Sequence, residues 1–221
     1  MKRLLFGVMI VIAGGCVRAV RPLDGTPVPA RMPAVELPRR PMQVRFTWVY
    51  GDDAFSANGD GVVRTMAPDR ARLDFFLRNG TAGGYAILVG DSVNVPGADM
   101  TSKLLPPQAM LWAALNRLAL PSTPDTVARM KGDTLFVDMG TLRGGDASKA
   151  SGEAWRLAFT GNRLVKVDHV DKGRVVESMS RQPGTAGETI RYNHESAHRR
   201  LTIVLGDTTW VQGFDEAIWR R

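Results

Sequence analysis

The pentapeptide His194-Glu195-Ser196-Ala197-His198 satisfies the H-E-x-x-H spacing. On a helix this spacing turns both imidazoles toward one Zn²⁺, and the Glu polarises a metal-bound water for hydrolysis. Glu216, 18 residues beyond His198, is the candidate third ligand. The elements that must hold these residues argue against the chemistry. Thr189–Tyr192 before the motif and Leu201–Leu205 after it alternate as strands, so the motif is expected at a strand-to-strand turn, where two His do not share a face. Arg199 and Arg200 would place two positive charges beside the dication. The reading is a solvated polar turn, with no metal. There is no G-x-S-x-G elbow, P-loop or strand-borne G-x-G-x-x-G. His169 lies in a strand pattern and reads as structural, and Asp52, Asp53 and Asp60 read as turn-capping carboxylates. The expectation is a protein that is not an enzyme and needs no cofactor.

The other reactive side chain is the only Cys of the chain, Cys16. Lys2 and Arg3 form a positive start, Leu4–Ile12 an apolar run of nine, and Ala13-Gly14-Gly15 a small-residue end. That run is well short of the ~20 apolar residues that span a bilayer and has the organisation of a secretory signal. Ala13-Gly14-Gly15-Cys16 resembles the lipobox of bacterial lipoproteins, with Ala13 where Leu is favoured. The resemblance implies cleavage before Cys16, diacylation of its sulfur, and membrane attachment. Val17 after the Cys, rather than Asp, resembles outer-membrane-destined lipoproteins. The expected location is an outer-membrane lipid anchor facing the periplasm, or a cell-membrane anchor in a source without an outer membrane.

The net charge of +7 invites nucleic acid as a partner, but its distribution does not support it. Cleavage removes Lys2 and Arg3, leaving +5. Residues 17–41 then hold six of the 13 Pro, together with Arg18, Arg21, Arg31, Arg39 and Arg40. Such Pro density excludes helix and favours an extended spacer, whose Arg side chains can rest on anionic headgroups. The expected organisation is a signal peptide over 1–15, an acylated Cys with a Pro/Arg-rich tether over 16–41, and one domain over 42–221.

From Met42 onward the apolar period is two. Val44, Phe46, Trp48 and Tyr50 alternate with polar residues, as do Ala71, Leu73, Phe75 and Leu77; Tyr85, Ile87 and Val89 follow. Later segments repeat the pattern through Leu201, Ile203, Leu205, Trp210 and Phe214. Turn residues, among them Asn58-Gly59-Asp60-Gly61, Asn79-Gly80 and Gly206-Asp207, separate ten or eleven expected strands of an antiparallel meander. One segment, Pro106–Ala119, is helical in period and almost wholly apolar, with Pro121 beyond it. The expected fold is mainly β: a curved antiparallel sheet forming an open half-barrel with an apolar helix across its mouth. Phe46, Trp48, Leu73, Phe75, Leu111, Trp112 and Leu115 are either ordinary core or the lining of an apolar cavity.

The strand series VRFTWVYGDD, GDGVVRTMAPDRARLDFFL and YAILVGDSVNVPG, the helix LPPQAMLWAALNRLALP and the WRLAF/RLVKVDHV hairpin resemble the LolA/LolB-like lipoprotein carriers and receptors. The resemblance implies an incomplete barrel that holds the acyl chains of a lipid or passenger lipoprotein. Two features depart from it: the hairpin tip Asn79–Gly84 has no large apolar side chain, and the Pro-rich segment replaces a helix before the first strand. Three readings follow. The first is a membrane-anchored envelope lipoprotein binding a lipid or acylated lipoprotein. The second is a structural or assembly lipoprotein with a filled core that binds an envelope protein. The third, a zinc hydrolase through His194, Glu195 and His198, ranks last.

Overall fold

The computed structural model describes residues 19–78, 82–96, 101–120, 125–140, 152–185 and 187–220. The leader, Cys16 and the hairpin tip at 79–81 lie outside the described residues. Thirteen strands form one antiparallel sheet: β1 Thr26–Val28, β2 Met42–Gly51, β3 Ser56–Met66, β4 Arg70–Leu77, β5 Ala82–Val89, β6 Ser92–Asn94, β7 Thr126–Lys131, β8 Thr134–Gly140, β9 Glu153–Thr160, β10 Arg163–Asp171, β11 Arg174–Gly184, β12 Gly187–His194 and β13 Arg199–Trp210. Their order is β1-β7-β8-β9-β10-β11-β12-β13-β2-β3-β4-β5-β6. The sheet is not closed: its edges, β1 and β6, are three residues each and are not hydrogen-bonded to one another. Short edges of this kind limit unwanted strand addition.

Alternation sends one apolar row per strand to the concave face. Leu157, Val167, Met179, Tyr192, Leu201 and Tyr50 are register partners across β9, β10, β11, β12, β13 and β2. All six are buried. In β5 the inward residues are Ala86 and Leu88, paired with Leu73 and Ala71, rather than the expected Tyr85, Ile87 and Val89. Tyr85 instead lies under the Arg72 guanidinium, 4.1 Å from the ring centroid.

Two expected turns are strand. Asn58-Gly59-Asp60-Gly61 belongs to β3. A Cβ on Gly61 would lie 2.2 Å from Cζ of Phe46, and one on Gly59 would lie 1.8 Å from the Phe76 carbonyl oxygen. These glycines are strand positions where an aromatic ring and a neighbouring backbone take the side chain's place. Phe46 and Trp48 then meet Phe75 edge-on, with centroids 5.5 and 5.7 Å apart. Gly206-Asp207 is likewise inside β13, at a register shift between Leu205 and Thr208. Phe214 lies beyond β13 and packs on Trp219 of a 3₁₀ turn, Glu216–Trp219.

The helical segment is shorter than the expected 106–119. Thr101–Leu104 forms one turn, α1, and Gln108–Ala114 forms α2. The second helix stops because Asn116 is left-handed (φ 57°). Its N–H donates to the Ala113 carbonyl and the Arg117 N–H to the Trp112 carbonyl, the paired bonds of a Schellman ending. The Asn116 side-chain oxygen also accepts from the Leu164 N–H at 3.1 Å, fixing the helix end to β10.

The described part of the Pro-rich segment, residues 19–41, is extended as its composition requires but does not stand off the sheet as a tether. Val20, Val35 and Leu37 are buried, and β1 pairs with β7. Arg156 binds the buried Asp138 through two 2.7 Å bonds and donates a third to the Arg21 carbonyl, strapping this segment to the convex face. The folded unit therefore begins well before Met42.

Gly61→Ala is expected to lower stability by about 1–3 kcal/mol through overpacking against Phe46. Gly51→Ala, whose Cβ would meet nothing within 4 Å, should leave the thermal midpoint nearly unchanged. Thermal unfolding of the two variants checks this.

Candidate functional site

α2 presents Met110, Leu111, Trp112 and Ala113 in succession to the interior, so it is covered on almost every side. Seven residues are too few for a helix to persist alone in water. Each large apolar side chain it buries contributes roughly 1.5–3 kcal/mol relative to exposure, which is enough to hold it in place. Two of its side chains converge on one atom: the Gly90 carbonyl accepts from Trp112 Nε1 at 3.1 Å and from Gln108 Nε2 at 3.3 Å. Beyond the helix, the Leu118 N–H donates to Val35 of the N-terminal segment.

Beneath α2 lies a void bounded by Phe46, Val63, Leu73 and Phe75 from one arm of the sheet and Met179, Ile190, Tyr192, Leu201, Ile203 and Leu205 from the other. Pro106, Met110, Leu111, Ala114 and Leu115 close it. Its volume is about 30 Å³, room for only one or two waters. The interior is thus nearly filled by the protein's own helix. Of the seven expected lining residues, Phe46, Leu73, Phe75, Leu111 and Leu115 line the void, whereas Trp48 and Trp112 do not. Trp48 spends its indole N–H on the Asp60 carbonyl, and Trp112 spends its own on Gly90. The wall from β11–β13 carries the same two-residue alternation in the sequence. Only the sheet's curvature brings it opposite Phe46 and Phe75.

At one rim of the concave face runs a polar row in continuous register: Trp155, His169, Glu177, His194 and Arg199 across β9 to β13. Trp155 stacks on His169 with centroids 4.5 Å apart. The buried Glu177 accepts from Tyr192 Oη at 2.6 Å and is bridged to His169 Nδ1 at 3.2 Å; His169 Nε2 lies 2.9 Å from Glu153. Burial pushes the Glu177 carboxyl up, but the hydrogen bonds from His169 and Tyr192 outweigh it and hold the group below its ordinary value. The hydrogen bond to Glu177 raises His169 in return, against burial and with help from the Glu153 charge. Tyr192 is raised, first by burial and then by its bond to Glu177.

His194-Glu195-Ser196-Ala197-His198 forms the end of β12 and the turn into β13, not a helix. The four residues of the candidate zinc site diverge. The His194 ring turns to Glu177 at 3.8 Å, while His198 Nδ1 lies 2.7 Å from Asp53 on another hairpin. Glu195 borders a pocket on the opposite face, beside Asn193 and Asp168. Glu216 pairs with Arg70. No group of three or more metal-ligating side chains occurs among the described residues.

The coupled shifts fix a pH window. His169 is raised, so its contribution to stability is full below its ordinary value and is lost as pH rises through its folded value. Glu177 is lowered, so its contribution is present above its ordinary value and is lost as pH falls through the folded one. The thermal midpoint should therefore fall on the alkaline side as His169 deprotonates. His169→Gln should flatten that limb in a calorimetric series from about pH 5 to about pH 9.

No protein-family model matches the chain, and no curated protein matches it. Among solved structures, the fold is similar to that of a LolA superfamily protein from Nitrosomonas europaea, with a TM-score of 0.52 and 11% identity over 85% of this chain and 93% of that one. It is also similar to a putative outer membrane lipoprotein-sorting protein domain from Vibrio parahaemolyticus, with a TM-score of 0.50 and 9% identity over 83% and 91% of the two chains. At these identities the likeness is one of fold: mainly β, with a single large antiparallel sheet that is not closed and few helices.

Proposed function

We propose that this protein is an envelope lipoprotein that binds a lipid or the acyl chains of a lipoprotein in the concave face of its half-barrel, with α2 occupying that space when no ligand is bound. The observation that carries the reading is the void beneath α2, whose walls are apolar except for Tyr192. An acyl chain is recognised by apolar area and by little else, and this surface offers that area once α2 moves aside. Among the described residues the side-chain hydrogen bonds that hold α2 and its C-terminal end are few, two on the Gly90 carbonyl and one from the Leu164 N–H to Asn116, so such a displacement costs little in hydrogen bonds. The likeness in fold to a lipoprotein-sorting domain supports the same reading. The anchor belongs to the proposal too: Cys16 is diacylated after cleavage behind Gly15 and holds the domain on the periplasmic face of the outer membrane. Two or three acyl chains give essentially permanent attachment.

A second reading is favoured by one observation, the volume of only about 30 Å³. If that filling is permanent, the protein is an assembly lipoprotein whose core is closed and whose surface binds an envelope protein.

Native mass spectrometry of the chain from Val17 on, exported to the periplasm without its anchor, separates the two readings. The carrier reading expects a discrete adduct of lipid mass, diminished by Leu115→Glu at the edge of the void and retained in Arg200→Glu on the opposite face. A bare protein mass would instead support the filled-core reading. Labelling of the full-length chain with radioactive palmitate should be lost in Cys16→Ser; labelling that persists there would overturn the anchor.

A further inference from the structure

We propose that the polar rim row contains a subsite for the anionic headgroup of the bound amphiphile, with Arg199 as its cation. The inference rests on the acyl-binding reading above and goes beyond it by giving the ligand a charge and an orientation.

A pocket of about 510 Å³ opens at this rim, within the size range of small-molecule sites. One side is mostly apolar, with Val93, Val95, Leu105 and Pro107 beside Ser102 and Gln108, and the other carries Glu177, His194 and Arg199. Tyr192 and Pro106 border both this pocket and the void beneath α2. The polar pocket and the apolar interior therefore share a wall. An amphiphile lying across that wall has its chain among Phe46, Phe75 and Ile203 and its headgroup in the rim pocket.

The sign of the headgroup follows from which charges are already satisfied. Both Glu177 oxygens are engaged, one by Tyr192 Oη and the other by His169, so the carboxylate is a poor partner for a cationic ligand. Arg199 is half-buried, and its guanidinium makes no ion pair or hydrogen bond among the described residues. The carboxylate whose field it enters, Asp52, already accepts from Tyr50 Oη and from the Ala54 and Phe55 N–H groups. A guanidinium with five donors, held in register beside an apolar cavity and left unpaired, matches a carboxylate or phosphate. The ordinary alternative for a lone Arg, a solvated position on the outer face, is that of its neighbour Arg200.

The test compares myristate with its uncharged methyl ester, titrated against the chain from Val17 on, which keeps every described residue. In Arg199→Gln, myristate should bind about tenfold more weakly, the loss of one charge-assisted contact, while the ester is unchanged. Arg199→Lys should restore part of the difference, and Arg200→Gln should alter neither ligand. Equal weakening of acid and ester would assign Arg199 a packing role and overturn the subsite, as would unchanged myristate binding in Arg199→Gln. Failure of the wild-type protein to bind either ligand would overturn the acyl-binding reading itself and the subsite with it. Circular dichroism melting of Arg199→Gln distinguishes lost binding from lost fold, since a midpoint matching wild type ties the change to the ligand.

Discussion

Burial of α2 between the two arms of the sheet is the interaction on which the remaining architecture depends. A 13-stranded open sheet leaves an apolar concave face that no second sheet covers among the described residues. Met110, Leu111 and Trp112 cover it, and the residual space falls to about 30 Å³. The helix has no stability of its own at seven residues, so sheet curvature and helix formation require one another. Asn116 makes the dependence local: its left-handed backbone ends the helix, and its side chain binds the Leu164 N–H of β10.

Close packing elsewhere follows from the same demand. Gly59 and Gly61 yield their side-chain volume to the β4 backbone and to Phe46, which lets three aromatic rings pack edge-on within one arm. The opposite arm solves its problem with aliphatic residues, Ile190, Leu201 and Ile203. The two kinds of wall face one another only because β13 pairs with β2 at the middle of the sheet. On the convex side, Arg156 draws the N-terminal segment onto the sheet through the buried Asp138 and the Arg21 carbonyl. The N-terminal segment from residue 19 on is thus part of the folded unit rather than a free spacer.

The rim row shows how one register serves two chemistries. Moving one concave position along β9–β13 changes Leu157, Val167, Met179, Tyr192 and Leu201 into Trp155, His169, Glu177, His194 and Arg199. A boundary this sharp between apolar interior and charged rim is what an amphiphile needs: a surface for its chain and a separate place for its headgroup. Tyr192 stands on the boundary, with its ring on the void and its hydroxyl on Glu177.

Much of this was legible in the chain. The period of two through Phe46, Leu73, Phe75 and Leu201 requires a sheet with one apolar face, and the non-strand period of Pro106–Ala119 requires a helix that must be covered. The turn position of His194–His198 followed from its strand flanks. Local pattern misjudged Asn58–Gly61 because glycine in a turn and glycine under an aromatic ring have the same local sequence. Only the pairing of β3 with β2 and β4 distinguishes them. It also placed Tyr85 inward, since a one-residue register shift between Phe75 and Phe76 exchanges the faces of β5 without leaving a mark on its composition. The Pro-rich segment read as a free spacer because its anchor points, Arg156 and Gly173, are more than a hundred residues away. Sequence by itself determined which residues must leave water, because hydrophobicity and its period are local properties. Tertiary structure alone decided how much space remains among them and which charge at the rim has no partner among the described residues, because both depend on strands brought together from opposite ends of the chain.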